Sequence, residues 1–500
     1  ATNFFQVRPG TDYALALALI HEIIKAEGYD ADFVERYTSG FDELAYFVEN
    51  YSADWAAKEC GIKAKDIHEL VGQLISDRPK VIFHPGWMLS RYNDSFYASR
   101  ALNCLNALMG NIEVEGGLIF AKGAGDCGGK GPRSLTDLSP KPTAKRADGV
   151  GDIYPQFEKG PGLFHLFYKA MATAKPYPIK GIICVRHDPF ACFPDPQAQK
   201  EALDNCDLIV SIDTHYSEFS WYADVILPES TYLERDSMVA LQKGMKPRLI
   251  MRNKAIEPQA DTLCLCTIIK GLATRLGLEQ YFPFNTLQEL WAWQLEPTGF
   301  SLADFEKKGF VEYADKPVLY DRDKLEGKFK TPSGKIEIIS QKLDEWGFPS
   351  WKPYVSPPKP PKGQYRLVFG RSPIHAHSHT INNPLLNELM PQNTLWINTR
   401  EAGKMGIAEG DLVDVTSGEV TSVVIAKLTD FIHPEAVYTV HGFGRQIPLQ
   451  TRAYHAGMSD QKLMKGQLQN MDPVGGGLNL CETFVAVRKS SKNHQRKREL

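Results

Sequence analysis

The sequence has no cysteine cluster. Its nine cysteines (Cys60, Cys104, Cys127, Cys184, Cys192, Cys206, Cys264, Cys266 and Cys481) are scattered, with no C-x2-C pair, which gives no spacing for zinc or an iron–sulfur cluster. An odd number in a long chain argues against a disulfide framework and for folding in a reducing compartment. Charge of one sign is also scarce. Lys+Arg 57 against Asp+Glu 60 leave a formal net charge of -3, so nucleic acid is not an expected partner, and any anionic ligand must be held by local arginines, lysines and helix N-termini. No apolar run approaches the roughly 20 residues that cross a bilayer, so no direct membrane span is expected, and residues 1–5 lack a signal-peptide layout. No G-x-G-x-x-G follows a predicted strand, which leaves an ordinary NAD site without support. The glycine-rich stretch 123–132 has no Ser or Thr after Lys130, and Pro132 continues poorly into a helix, so it is not a P-loop.

What is present is globular: 500 residues, 43% hydrophobic and 23% charged, enough for roughly three or four domains. After RPG at 8–10, Thr11 is a good N-cap, and the apolar run 13–24 predicts a buried helix that stops at Gly28. Residues 81–83 predict a short strand, and 94–109 a helix ending at Gly110. Residues 122–162, rich in Gly, Pro and mixed charge, predict a long loop at an active-site entrance. Three apolar runs, 181–185, 208–212 and 224–227, predict a parallel sheet buried on both faces. Five prolines in 352–363 predict an extended linker. Beyond it, β-rich runs at 365–369, 394–397, 412–416 and 421–427, with one helix at 400–405, predict a compact barrel. The resulting division is a partial α/β unit (1–125), a second α/β unit (150–271), a mixed connecting segment (272–351), the linker (352–363), the barrel (364–490) and a basic tail (491–500).

Several residues invite chemistry. Asp213 closes a predicted strand, where open α/β sheets bind ligands, and its carboxylate suits the N1 and N2 edge of guanine or ribose hydroxyls. Asp12, in the first turn of a helix, has the plainer reading of an acid complementing the helix dipole. His375, His377 and His379 alternate and would share one face of a strand, as a metal site requires; Arg371 just ahead favours contact with an anion or cofactor instead. Cys264 and Cys266 fall in an apolar run that predicts inert core thiols. Arg186 and His187 follow a strand end and either reach an active-site mouth or form an exposed ion-pair cluster.

Taken in order, RPGTD (8–12), LNALMGNIEVEGG (105–117), IDTHYSEFSWYADVILPE (212–229), TPSGKIEI (331–338), HAHSHT (375–380), INTREAGKMGIAEGDLVDVTS (397–417) and DPVGGGLNLCETFVAV (472–487) cover nearly the whole chain. They resemble the molybdopterin oxidoreductase family, enzymes with a molybdenum bis(molybdopterin guanine dinucleotide) centre. The resemblance implies two Rossmann-like α/β domains with a C-terminal double-psi β-barrel. It implies that Arg8, Gly10, Thr11 and Asp12 hold one guanine nucleotide and Asp213 with Thr214 the other. It further implies that Arg371, His375, His377, Ser378 and Asn479 touch pterins or phosphates.

The family's C-x2-C-x3-C motif and the segment bearing the residue that coordinates molybdenum are not in this sequence. The chain, which begins on Ala1, therefore reads as part of a longer or split enzyme, with the 4Fe-4S cluster expected only from that other segment. Within the family, the stretches 7–24, 451–464 and DPVGGG are most similar to polysulfide and thiosulfate reductase catalytic subunits. Arsenate, tetrathionate and formate enzymes are neighbouring alternatives, and a cofactor-free scaffold subunit is the non-catalytic one. The expected substrate is a small sulfur anion, with Arg186 steering it and His187 supplying protons. Expected partners are an iron–sulfur electron-transfer subunit and a membrane anchor, at the outer, periplasmic face of a bacterial inner membrane.

Overall fold

The computed structural model describes residues 3–141, 143–157, 163–306, 308–465 and 471–491. The basic tail, beyond Ser491, lies outside the described residues, as do parts of the predicted 122–162 loop.

The first region is helical: α1 (Asp12–Lys25), α2 (Ala31–Tyr37), α3 (Phe41–Phe47), α4 (Ala53–Cys60), α5 (Ala64–Asp77) and α6 (Ser95–Leu108), with a two-residue strand β1 (Thr38–Ser39). α1 is Ala/Leu-rich and apolar nearly all round, as a helix packed on several sides must be. Its Leu17, Ile20 and Ile23 lie in one core with Leu44, Ile67 and Leu105. Thr11 occupies the N-cap position but makes no capping bond; its hydroxyl donates to the Arg8 carbonyl at 2.7 Å. The helix ends at Lys25, short of Gly28.

Residues 81–83 are extended but join no sheet. Two side-chain amides do what a neighbouring strand would do. Phe83 N donates to Asn106 Oδ1 (2.9 Å), Asn106 Nδ2 donates to the Phe83 carbonyl (2.9 Å), and Asn111 Nδ2 donates to the Val81 carbonyl (2.5 Å). The sequence shows an apolar run, but not that α6 supplies its hydrogen bonds. Asp94 likewise does not cap α6: it pairs with Lys352, and the cap comes from Asp472, whose Oδ2 accepts from Ser95 Oγ and Phe96 N at 3.1 Å. That bond pins the DPVGGG loop to a helix 377 residues away in sequence.

The second region holds α7 (Phe164–Thr173), β2 (Gly181–Val185), α8 (Pro189–Cys192), α9 (Pro196–Leu203), β3 (Leu208–Asp213), α10 (Glu218–Tyr222) and β4 (Val225–Pro228). The strands form a parallel sheet in the order β2-β3-β4. Only central β3 is buried along its length; on the edges Ile183 is 52% and Val225 41% exposed, so burial of the whole sheet on both faces is not observed. Cys264 and Cys266, at the start of α11 (Leu265–Leu276), are half-buried rather than core, and all nine cysteines are free.

The expected boundary at 271 does not hold. β5 (Ala240–Gln242), β6 (Arg248–Ile250) and β7 (Phe310–Glu312) form one antiparallel sheet, and α12 (Leu287–Leu295) packs Trp291 and Leu295 onto its core with Leu249. β8 (Ile336–Glu337) then pairs with β1, and Trp351 enters the α1 core. The connecting segment is thus divided between its neighbours.

After the extended, proline-rich stretch comes a closed six-stranded barrel. Its strands are β9 (Gln364–Gly370), β10 (Thr394–Ile397), β11 (Leu412–Ser417), β12 (Val420–Leu428), β13 (Ala436–Val440) and β14 (Phe484–Lys489), in the order β10-β12-β11-β14-β9-β13. Closure leaves no free edge. The predicted helix lies at Thr399–Lys404. The molecule is therefore a mixed α/β fold with a C-terminal barrel, and no helix among the described residues is long and apolar enough to cross a membrane.

Replacing Asn106 by Ala strands the Phe83 N–H and carbonyl and a donor of Asn111. A loss of about 3 kcal/mol is expected, read as a lower chemical-denaturation midpoint; a change below about 0.5 kcal/mol would show that the amide clamp is dispensable.

Candidate functional site

β2 and β3 end side by side. Arg186 N donates to the Ile212 carbonyl (2.8 Å), and Glu229 N, just after β4, donates to the Asp213 carbonyl (2.9 Å). Residues 186–188 and 213–215 therefore emerge at the carboxyl end of the sheet, where this sheet type leaves a crevice. There they meet the barrel. Arg186, His187 and Asp213 line a narrow cleft with Ser378, His379 and Arg445. Asp213 is 9% exposed, and its Oδ1 accepts the Thr214 amide at 2.7 Å. Burial raises its carboxyl above the usual range, with His215 nearby partly offsetting this. Thr214 lies exposed at the mouth, its hydroxyl 3.2 Å from His215 Nδ1.

Two expectations for this cleft change. The Arg186 guanidinium forks onto both oxygens of buried Glu229, which also binds Arg235 at 2.9 Å. One carboxylate thus serves two guanidiniums, so the cluster keeps a net positive charge, but the fork fixes Arg186 against the sheet and leaves it little freedom to follow a ligand. His187 packs between Phe164 and Phe193, with ring centroids at 5.5 and 5.7 Å, and burial pushes its pKa down; neutral and held among rings, it is a poor proton store. The cation that does reach across is Arg445, from the barrel loop after β13. Its Nη1 lies 2.8 Å from Asp188 Oδ2, and Asp188 also accepts from the Glu218 and Phe219 amides at the start of α10. Arg445 Nε, also buried, has no hydrogen-bond partner among the described residues.

The histidine-rich turn after β9 does not gather its imidazoles. It is a single 3-10 turn, His377–His379, not a strand, so alternate residues do not share a face. His375 is held at both nitrogens, by Thr380 Oγ1 (3.3 Å) and the Met390 carbonyl (2.8 Å). His377 faces Trp87 and His441, with ring centroids at 6.4 and 6.1 Å, and burial, with Arg371 nearby adding to it, lowers its pKa. Arg371 lies 5.0 Å over the Trp87 ring. Among the described residues no group of three His, Cys, Asp or Glu is placed to hold a metal ion. Gly442 makes the turn's close packing possible: at φ +99 its Cβ would come within 3.0 Å of Ser378 N.

A second cavity of about 430 Å³ lies between the N-terminal region and the barrel, lined by Gly10, Asn93, Asp94, Lys352, Asp472 and Asn479 among others. Asn479 Nδ2 donates to Asn93 Oδ1, while Asn479 Oδ1 is buried with no partner among the described residues. Arg8 Nε lies 3.6 Å from Glu435 Oε2, an ion pair longer than a hydrogen bond. Thr11 is sealed; Asp12 is half-buried, and its desolvation raises its pKa; Asp12 is close enough to Tyr92 and Cys60 to influence both. The segment from Trp87 to Asp94 touches Arg371 and His377 at one end and Asn479 at the other.

Sequence reasoning missed Arg445, Trp87, Asn93 and His441. They lie in irregular segments, where no periodicity marks a residue as facing inward. The arrangement offers a buried, unsatisfied donor and acceptor at two cavities, which suits a ligand with phosphates and base edges.

A model of the Molybdopterin oxidoreductase family matches residues 2–275, and one of the Molydopterin dinucleotide binding domain matches residues 365–468. The chain is 33% identical to the thiosulfate reductase molybdopterin-containing subunit PhsA of Salmonella typhimurium, covering 91% of this chain and 64% of that protein. It is 27% identical to the dimethyl sulfoxide reductase DmsA of Escherichia coli, covering 87% and 59%. The chain thus spans about 64% of the first relative's length. Among solved structures, acetylene hydratase from Pelobacter acetylenicus superposes with a TM-score of 0.78 at 22% identity, over 97% of this chain and 71% of that one, a likeness of fold.

Replacing Arg445 by Met leaves Asp188 buried and uncompensated. The expected loss is about 3–5 kcal/mol, seen as early exposure of the loop at 441–464 in hydrogen exchange, with part restored by also replacing Asp188 with Asn. Unchanged protection of that loop would show that the pair does not hold the seam.

Proposed function

The chain belongs to the molybdopterin oxidoreductase family, and from that premise we propose that it is the catalytic-subunit portion of a molybdenum-dependent reductase of thiosulfate or polysulfide, working in anaerobic respiration. In this reading the parallel sheet β2-β3-β4 is the core of one Rossmann-like half, the helical N-terminal region belongs to the other, and the barrel is the double-psi cap.

The observation that carries the reading is the pair of buried, unbonded polar atoms at the two cavities, Asn479 Oδ1 and Arg445 Nε. Such atoms are costly unless something satisfies them. Their chemistry fits the metal–pterin dinucleotide, whose phosphates accept hydrogen bonds and whose pterin and guanine edges both donate and accept. Asp213 and Thr214 would hold one guanosine end; Gly10, Asp12, Asn93 and Asn479 would hold the other. Arg371, His377 and Ser378 would lie along the middle. When bound, the group supplies two-electron redox chemistry at its metal. The chain's own residues orient it, exclude water with the Trp87 and Phe369 rings, and hold an anion beside cations that a protein of net charge -3 must concentrate locally.

The sulfur-anion substrate rests on the printed name of one relative, a thiosulfate reductase subunit, and on the sequence stretches most similar to that subfamily. The partners proposed are an iron–sulfur electron-transfer subunit bearing the electrons and a membrane anchor, on the periplasmic side of the inner membrane. A 4Fe-4S cluster is proposed for the intact enzyme outside the residues described.

The test is metal analysis of the purified full-length enzyme, followed by anaerobic oxidation of a reduced viologen with each candidate acceptor. Stoichiometric molybdenum and turnover with thiosulfate or polysulfide are expected. Turnover confined to arsenate, tetrathionate or formate would remove the substrate assignment, and enzyme lacking molybdenum after native purification would make it a scaffold.

A further inference from the structure

His441 follows β13 at the same barrel end as Arg371, and its backbone N donates to the Gly370 carbonyl at 2.9 Å. Its ring is buried, with Nδ1 2.9 Å from Asp460 Oδ2. Asp460 is 1% exposed, and the same oxygen accepts Gln461 Nε2 at 2.9 Å. Gln461 Nε2 also lies 3.3 Å from Nδ1, but the shorter contact is to a carboxylate oxygen, which assigns the proton to Nδ1 and leaves Nε2 as the free nitrogen. Nε2 has no hydrogen-bond partner among the described residues. The ring is flanked by Phe369 at 5.9 Å and His377 at 6.1 Å, centroid to centroid.

A histidine kept only to brace a loop would be bonded at both nitrogens, as His375 is, two residues before His377. His441 is bonded at one and oriented by a buried acid whose second oxygen, Asp460 Oδ1, has no partner. That geometry fixes a tautomer and the orientation of the ring, with Nε2 turned away from the acid. The charged and titratable groups around it are Asp460 from its own loop, and His377, His379 and Arg371 from the turn after β9. Asp188 and Arg445 lie beyond Asp460, across Cys192.

We propose that His441 is a proton-transfer group at the barrel end beside Arg371 and His377, and Asp460 its positioning residue. The inference rests on the sulfur-anion reading above and replaces His187 in the role of proton supply. Thiosulfate plus two electrons and two protons gives hydrogensulfide and hydrogensulfite. The sulfur–sulfur bond breaks and the outer sulfur is reduced by two electrons, which the metal–pterin group would supply when bound. Nε2 of His441 takes a proton from solvent and delivers it to the leaving sulfide; sulfite takes the other from water.

The experiment uses the holoenzyme and its His441→Gln and Asp460→Asn variants. Nitrogen NMR of histidine-labelled protein should show one resonance, lost in His441→Gln, with Nδ1 protonated and Nε2 bare; Asp460→Asn should shift it toward the other tautomer. Both variants should keep molybdenum and guanine nucleotide, while viologen-linked kcat with thiosulfate falls about 100-fold at unchanged KM. Either variant retaining kcat within about twofold, or losing its cofactor, or an Nε2-protonated resonance in the wild type, would overturn the assignment. The tautomer readout needs no substrate, so it decides the dyad even if the wild-type enzyme reduces no sulfur anion, an outcome that counts against the substrate reading alone.

Discussion

One buried ion pair, Arg445 with Asp188, holds the barrel against the parallel sheet. Both partners are almost fully enclosed, and two charges removed from water are tolerated only when each is well paired and bonded. Asp188 meets that condition through Arg445 and the first amides of α10. Around this point the seam is stitched by weaker bonds: Gln446 N to Glu218, Gln450 Nε2 to the Tyr216 carbonyl, and Asp195 N to the Gln461 carbonyl. Everything placed in the Asp213 cleft depends on that seam staying closed, because the cleft has a sheet wall and a barrel wall and neither is complete alone.

The opposite seam uses the same device in a different form. Asp472 caps α6 from the far end of the chain and draws the DPVGGG loop over the N-terminal helices. Asn479 is thereby set opposite Asn93 and Gly10. Between the two seams runs the segment from Trp87 to Asp94, with two arginines stacked on Trp87. Both cavities carry polar atoms left unbonded in the protein. A polar ligand would satisfy them and bridge the sheet, the barrel and the N-terminal helices, so its binding and the stability of the fold should be linked.

The sequence made some of this plain and hid the rest for identifiable reasons. β3 was legible because an apolar run ending in Asp is what a buried parallel strand with a ligand-facing end looks like. The barrel strands β9 to β12 were legible from short runs between Gly-Asp and Ser-Gly turns, and α1 from its apolar content. The strand expected at 81–83 failed because its partners are the side chains of Asn106 and Asn111, which no periodicity reveals. The imidazole triad failed because period-two reasoning needs a strand, and the chain turns there. Arg186 could not be judged without Glu229, 43 residues on. His441 and Asp460, both in the loop after β13, carry no local pattern at all, and only the folded loop brings them to hydrogen-bonding distance.

The central claim is that two carboxylate-bearing sites, one beside α1 and one at the end of β3, hold the two ends of one dinucleotide-tailed group across the barrel. Acid release and quantitation of guanine nucleotide from purified enzyme, wild type against Asp213→Asn, tests this most directly. Two guanine nucleotides per chain in the wild type, with weakened retention in the variant, are predicted. One nucleotide or none in the wild type, or full retention after Asp213 is neutralised, would contradict the account.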